Sequence, residues 1–162
     1  MSKVIFLDFD GVLLTDRAAQ QQTNRGLTVQ NYLQTVVFDS HCVSRLNQLI
    51  EHTDAQLVLS TSWADGHSFS SLANCLMRNG IDPGHIWEYD DPSQAAWMTP
   101  RTGSSNRARE ITSWLDAHPE ITDWCAIDDR SEIDQLGARA VKTDPTKGFD
   151  SAALSQAVKI LG

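Results

Sequence analysis

No apolar run in the chain exceeds about four residues, against the roughly 18 needed to cross a bilayer. The N-terminus reads Met-Ser-Lys, a short apolar run and two acids. It has no h-region and no cleavage site, so no secretory signal is expected. Cysteine is scarce and unpatterned: Cys42, Cys75 and Cys125 are odd in number, widely spaced and without a C-x-x-C. Such thiols, each set among apolar residues, read as buried and reduced rather than as a disulfide framework, which points to the cytoplasm. Positive charge is in deficit. Lys and Arg number 13 against 21 Asp and Glu, a net charge of −8. An acidic chain repels phosphate backbones at long range, which disfavours a non-specific nucleic-acid binder. The five histidines have no metal-ligand spacing. What remains is ordinary: 41% hydrophobic and 21% charged residues exclude collagen, coiled coil and wholesale disorder. A length of 162 residues is one domain's worth, and with no repeat and no linker a single domain over 1–162 is expected.

The elements follow from pattern. Val4–Asp10 is a continuous apolar run ending in acids, as suits a strand covered on both faces. Residues 15–35 are polar and Gln-rich and read as a loop or flap. Asp39 or Ser40 caps a helix carrying Val43, Leu46 and Ile50 on one face. Leu57–Leu59 is a second strand, leading into Ser60-Thr61-Ser62. Phe69, Leu72, Ala73 and Leu76 mark another helix, stopped by Asn79-Gly80. The segment 81–103 has three prolines and no clean period, with a short strand expected at His85–Tyr89. A third helix starts at Ser105 or Asn106 and buries Ala108, Ile111 and Leu115. Trp124–Ile127 is a third strand, running into Asp128-Asp129, and Ala138–Lys142 a fourth. The last helix buries Leu154, Ala157, Val158 and Leu161. Strands alternating with helices of this length predict an α/β fold on a parallel sheet.

Three of these strands end in polar residues of distinctive type: Asp8-Phe9-Asp10-Gly11, Ser60-Thr61-Ser62 and Asp128-Asp129. Open parallel sheets bind ligands outside the carboxyl ends of their strands, so the three endings are expected to converge. In extended backbone Asp8 and Asp10 point to one side. Two carboxylates so placed repel unless a cation or a shared proton relieves them. With Asp128 and Asp129 added, a hard divalent ion with oxygen ligands, Mg²⁺, fits the set.

The stretch Val4–Leu13, with Asp8-Phe9-Asp10-Gly11 at its centre, resembles the first motif of the haloacid dehalogenase (HAD) superfamily. Leu57–Thr61 resembles its second motif and Ala126–Asp129 its fourth, and together they span nearly the whole chain. The finer pattern, Leu-Ser-Thr-Ser-Trp63 followed later by Asn106–Ile111 and Trp114-Leu115, is similar to the HAD domains of Swiss Army Knife RNA-repair proteins. Ala64 stands where that pattern often has Arg. The resemblance implies a three-layer α/β sandwich with a HAD-type Rossmann-like parallel sheet, strand one central, and a minimal cap or none. It implies a Mg²⁺-dependent phosphomonoester hydrolase in which Asp8 is the nucleophile and Asp10 the general acid and base. Thr61 and Ser62 would bind the phosphoryl group. The metal would be held by Asp8, the Asp10 carbonyl and an acid at Asp128 or Asp129, with Asp128 favoured. The third motif's cation, which neutralises the phosphoryl group, falls on Arg107 as a phosphate-binding residue, with Arg101 and Arg109 as alternatives.

The resemblance further suggests a nucleic-acid or nucleotide phosphate end as substrate. The net charge argues against it; the run from Arg101 to Arg109, basic and free of acids, argues for it. The alternatives are a phosphotransferase, a small-metabolite phosphatase and a catalytically silent binding module on the same fold. Of the tryptophans, Trp114 and Trp124 are expected in the core, and Trp63 at the wall of the pocket with His67 nearby.

Overall fold

Alternation inside the apolar runs sorts side chains to two faces of a sheet. In a computed structural model of the chain, which describes residues 1–23, 32–101 and 106–162, this sheet has four parallel strands. They are β1 (Lys3–Leu7), β2 (Gln56–Leu59), β3 (Asp123–Asp128) and β4 (Ala140–Lys142), in the order β2-β1-β3-β4. Strand β1 is interior, as expected. Its Leu7 is level with Leu59 on one side and Ile127 on the other. Asp8 and Ser60, which follow β1 and β2, and Asp128, the last residue of β3, therefore emerge side by side.

Among the described residues six α-helices accompany the sheet: α1 (Asp16–Thr23), α2 (Tyr32–Thr35), α3 (Ser40–Thr53), α4 (Phe69–Arg78), α5 (Arg107–Ala117) and α6 (Ser151–Leu161). Ile5, Leu7, Leu57, Leu59, Cys125 and Ile127 face one layer, where they meet apolar residues of α3, α4 and α6. Val4, Phe6, Val58 and Ala126 face the other, against Ile111 and Trp114 of α5. The result is the expected three-layer α/β arrangement. Phe6 is fully buried and meets Trp114 and Trp124 edge to face, with centroids 5.3 and 5.7 Å away. Each such buried side chain contributes about 1.5–3 kcal/mol.

Helix starts follow the capping residues. Asp39 accepts from the N–H groups of His41 and Cys42 at the head of α3, and Asn106 from that of Arg109 at the head of α5. Ser105, the other expected start of α5, lies outside the described residues. The three cysteines are buried and unpaired. Among the described residues no helix is long and apolar enough to cross a membrane.

Several expectations require correction. The stretch 15–35 is not all loop: α1 and α2 occupy its ends, and residues 24–31 lie outside the described residues. The buried anchor of α1 is a polar residue. Gln22 accepts from Val37 N–H and donates to Val37 and Ala18 carbonyls, so no apolar stripe announces the helix. His85–Tyr89 is not a strand. Pro83–His85 closes a 3₁₀ turn, and Ile86 makes a single parallel bridge to Leu57. Strand β4 starts at Ala140 rather than Ala138, because 3₁₀ structure interrupted at Gly137 runs to Arg139. Leu115, Leu154 and Val158 are half-buried; Trp114, Ala153, Ala157 and Leu161 take the innermost positions of α5 and α6. Trp124 is half-buried, with the Arg139 guanidinium over its outer face.

Candidate active site

The chain leaves β1 through a tight loop. Phe9 C=O accepts from Leu13 and Leu14 N–H, and Gly11 N–H donates to Leu14 C=O. Phe9 is drawn fully into the core, which leaves Asp8 on the site side, 4% exposed, with its Oδ1 accepting from Phe9 N–H at 2.8 Å. Gly11 has φ +75° and lies against the Asp129 carboxylate so closely that a Cβ there would collide with it. Thr143 Oγ1 donates to Gly11 C=O at 2.8 Å and ties this loop to the end of β4.

Asp8, Asp128 and Asp129 each offer a carboxylate oxygen within 4.8 Å of the others. The cation among them is Arg107, at the first position of α5 and 1% exposed. Its Nη1 lies 3.1 Å from Asp128 Oδ2 and 3.5 Å from Asp8 Oδ1, and its Nε lies 3.7 Å from Glu110 Oε2. A buried cation at a helix N-terminus opposes the helix dipole. Here the three carboxylates outweigh it, and Glu132 Oε1 accepts from the Arg107 backbone N–H. Burial works against the guanidinium's charge, yet Asp8, Asp128 and Glu110 hold it more firmly protonated than an ordinary arginine.

One guanidinium does not balance this much negative charge. Burial, then Asp128, push the Asp8 carboxyl well above the usual range, with Arg107 pulling the other way. Burial, then Asp128, push Asp129 up to about 6. Carboxylates this close, with Asp8 and Asp128 buried and Asp8 and Asp129 held above the usual range, form an oxygen-donor set that a hard divalent cation fits.

Asp10 stands outside that trio. It is exposed, and its Oδ2 accepts from Trp63 Nε1–H at 2.6 Å. Trp63 sits in a 3₁₀ turn (Ser62–Ala64) after β2, its N–H donating to Thr61 Oγ1 at 3.2 Å. Thr61 is buried and Ser62 exposed. A cavity of about 300 Å³ opens beside Asp10, lined by Tyr32, Ser62, Trp63, Asp65 and His67 among others. Trp63 and His67 are thus at the pocket wall.

The arginines separate. Arg101 is ion-paired with Asp65 at 3.0 Å and Glu110 at 3.3 Å. Arg109 is exposed and lines a groove with Thr112 and Asp116. Arg107 alone reaches Asp8 and Asp128 among the three candidates. The expected positive patch from Arg101 to Arg109 does not form as such, because acids distant in sequence (Asp65) or next in line (Glu110) meet two of its charges.

A family model described as "HAD domain in Swiss Army Knife RNA repair proteins" matches residues 4–154. The chain belongs to this family. No curated protein and no solved structure matches it. The match runs from β1 into α6, so it takes in every strand ending that builds the site of this HAD domain. Glu110, Tyr32 and Asp65 were missed by sequence reasoning. Only Glu110 had a signal, its i,i+3 spacing from Arg107 in a helix.

Proposed function

We propose that this HAD domain is a Mg²⁺-dependent phosphomonoester hydrolase working through an aspartyl-phosphate on Asp8. The observation that carries the reading is the carboxylate trio at the ends of adjacent strands, Asp8 and Asp128 buried and Asp129 half-buried, with Arg107 inserted between Asp8 and Asp128. Asp8, Asp128 or Asp129, and the Asp10 carbonyl would hold the ion. When bound, Mg²⁺ supplies positive charge that offsets the nucleophile and the phosphoryl oxygens together. Asp8 attacks phosphorus. Asp10 delivers a proton to the leaving oxygen and then takes one from the attacking water. Arg107 holds Asp8 in place, works against the burial that disfavours its charge, and would neutralise a bound phosphoryl oxygen. Thr61 Oγ1 accepts from Trp63 N–H, which leaves its own O–H to donate to a phosphoryl oxygen. Ser62, exposed at the cavity wall, stands beside it.

For the substrate, the family's description supports a phosphorylated end of a nucleic acid or nucleotide. A small phosphomonoester is the second reading, favoured by the ion pairs that occupy Arg101. The test is phosphate release from p-nitrophenyl phosphate with and without Mg²⁺, in the wild type and in Asp8→Asn. It is followed by kcat/KM for a 3′-phosphorylated oligonucleotide against mononucleotides and sugar phosphates at two salt concentrations. Metal-dependent release abolished by Asp8→Asn is expected. No release from any phosphoester would leave the fold as a binding scaffold. An oligonucleotide no better than a mononucleotide would remove the nucleic-acid end.

A further inference from the structure

Asp10 is exposed, and an exposed aspartate on a loop exchanges among its three staggered χ1 rotamers unless something holds it. Here something does. Trp63 Nε1–H donates to Asp10 Oδ2 at 2.6 Å, a short contact spanning two strand-end loops 53 residues apart. The indole is itself fixed. It packs edge to face on buried Phe9, centroids 5.9 Å apart, and against Tyr32 at 5.3 Å. Its backbone N–H is bonded to Thr61. The ring therefore forms one wall of the cavity beside Asp10 and also dictates where the carboxylate points.

We infer that Trp63 is a positioning residue for leaving-group protonation, an assignment that rests on the phosphatase reading above. With Oδ2 committed to accepting from the indole, the proton for the leaving group sits on Oδ1, on the side away from Trp63. In the step it serves, the bond from phosphorus to the leaving oxygen breaks as the bond to Asp8 forms. The Oδ1 proton passes to the leaving oxygen, and Asp10 becomes a carboxylate, still held through Oδ2. A misaligned acid penalises substrates whose alkoxide needs that proton. It spares those whose leaving anion is stable without one.

The experiment is Trp63→Phe, which keeps the ring contacts and deletes the N–H, with kcat/KM measured for p-nitrophenyl phosphate and for glycerol phosphate. This ratio reports the steps through leaving-group departure, where the two substrates differ. The expected result is a fall of roughly 10- to 100-fold on glycerol phosphate and of less than about two-fold on p-nitrophenyl phosphate. Equal losses on both, or none, overturn the inference, since a merely structural tryptophan cannot tell the substrates apart. A second readout needs no turnover. The indole N–H signal in ¹H–¹⁵N spectra that vanishes in Trp63→Phe should move upfield in Asp10→Ala, and an unmoved signal also overturns the inference. A wild type inactive on both substrates, with the indole signal shifting as expected, instead overturns the phosphatase reading and takes this role with it.

Discussion

Raising the pH from about 4 to about 7 in metal-free buffer should loosen the fold, and Mg²⁺ should abolish that loss. Asp8 and Asp129 are both held above the ordinary carboxylate range, by burial first and by Asp128 next. The folded state therefore binds protons in this window that the unfolded chain has released, so stability falls as pH rises. For Asp129, a carboxyl held at about 6 in place of an ordinary 3.8 costs about 2–3 kcal/mol to ionise. Water at its accessible edge trims that to about 1–2 kcal/mol. Asp8 adds in the same direction. Asp91 and Asp144, each held low by hydrogen bonds from the residue two further on, Ser93 or Thr146, act with opposite sign. Their contribution is lost only as pH falls below about 4. The assay is thermal unfolding by circular dichroism in EDTA across this range at fixed ionic strength. The expected drop is about 2–8 °C for a chain of this size. A divalent ion at a hundred-fold excess over its Kd adds roughly 3 kcal/mol and flattens the dependence. Asp129→Asn should flatten it without metal. A melting point that rises through the window in EDTA, or a slope that Asp129→Asn leaves intact, refutes the argument.

Two further outcomes test the frame of the site. Arg107→Met removes the buried cation shared by Asp8, Asp128 and Glu110 and should destabilise by about 3–5 kcal/mol in urea without metal, with part of the loss recovered in Mg²⁺; a loss of under about 1 kcal/mol would mean that the carboxylates do not depend on it. Gly11→Ala puts a Cβ at φ +75° against the Asp129 carboxylate and should cost about 1–3 kcal/mol, with weaker Mg²⁺ binding by calorimetry; unchanged affinity would show that Asp129 is not held by that contact.

The strands and their endings were legible because burial on both faces writes itself as unbroken apolar runs, and the acids at 8, 10, 128 and 129 interrupt those runs abruptly. The register of β1 with β2 and β3 then makes the convergence geometric rather than statistical. Helix α1 was hidden because Gln22 anchors it through backbone hydrogen bonds, which leave no trace in hydropathy. Bond partners far apart in sequence were equally invisible. Nothing in the chain announces that Asp65 neutralises Arg101 or that Tyr32 packs on Trp63. The fate of the arginine run shows the cost: linear spacing suggested a positive patch, and folding spent Arg101 and Arg107 on carboxylates. Asp8 and Asp10 were expected to face one way. They differ in burial, Asp8 lying beside Arg107 and Asp10 exposed against Trp63, while the Asp10 charge still bears on Asp8 and Asp129.

The phosphoryl-enzyme itself can be sought. Acid quenching of the Mg²⁺-loaded protein during turnover of p-nitrophenyl phosphate, followed by peptide mass spectrometry, should find one added phosphoryl group on the peptide containing Asp8. That adduct should be absent in Asp8→Asn and absent in EDTA. A phosphoryl group on any other residue, or full phosphatase activity in Asp8→Asn, would contradict the account.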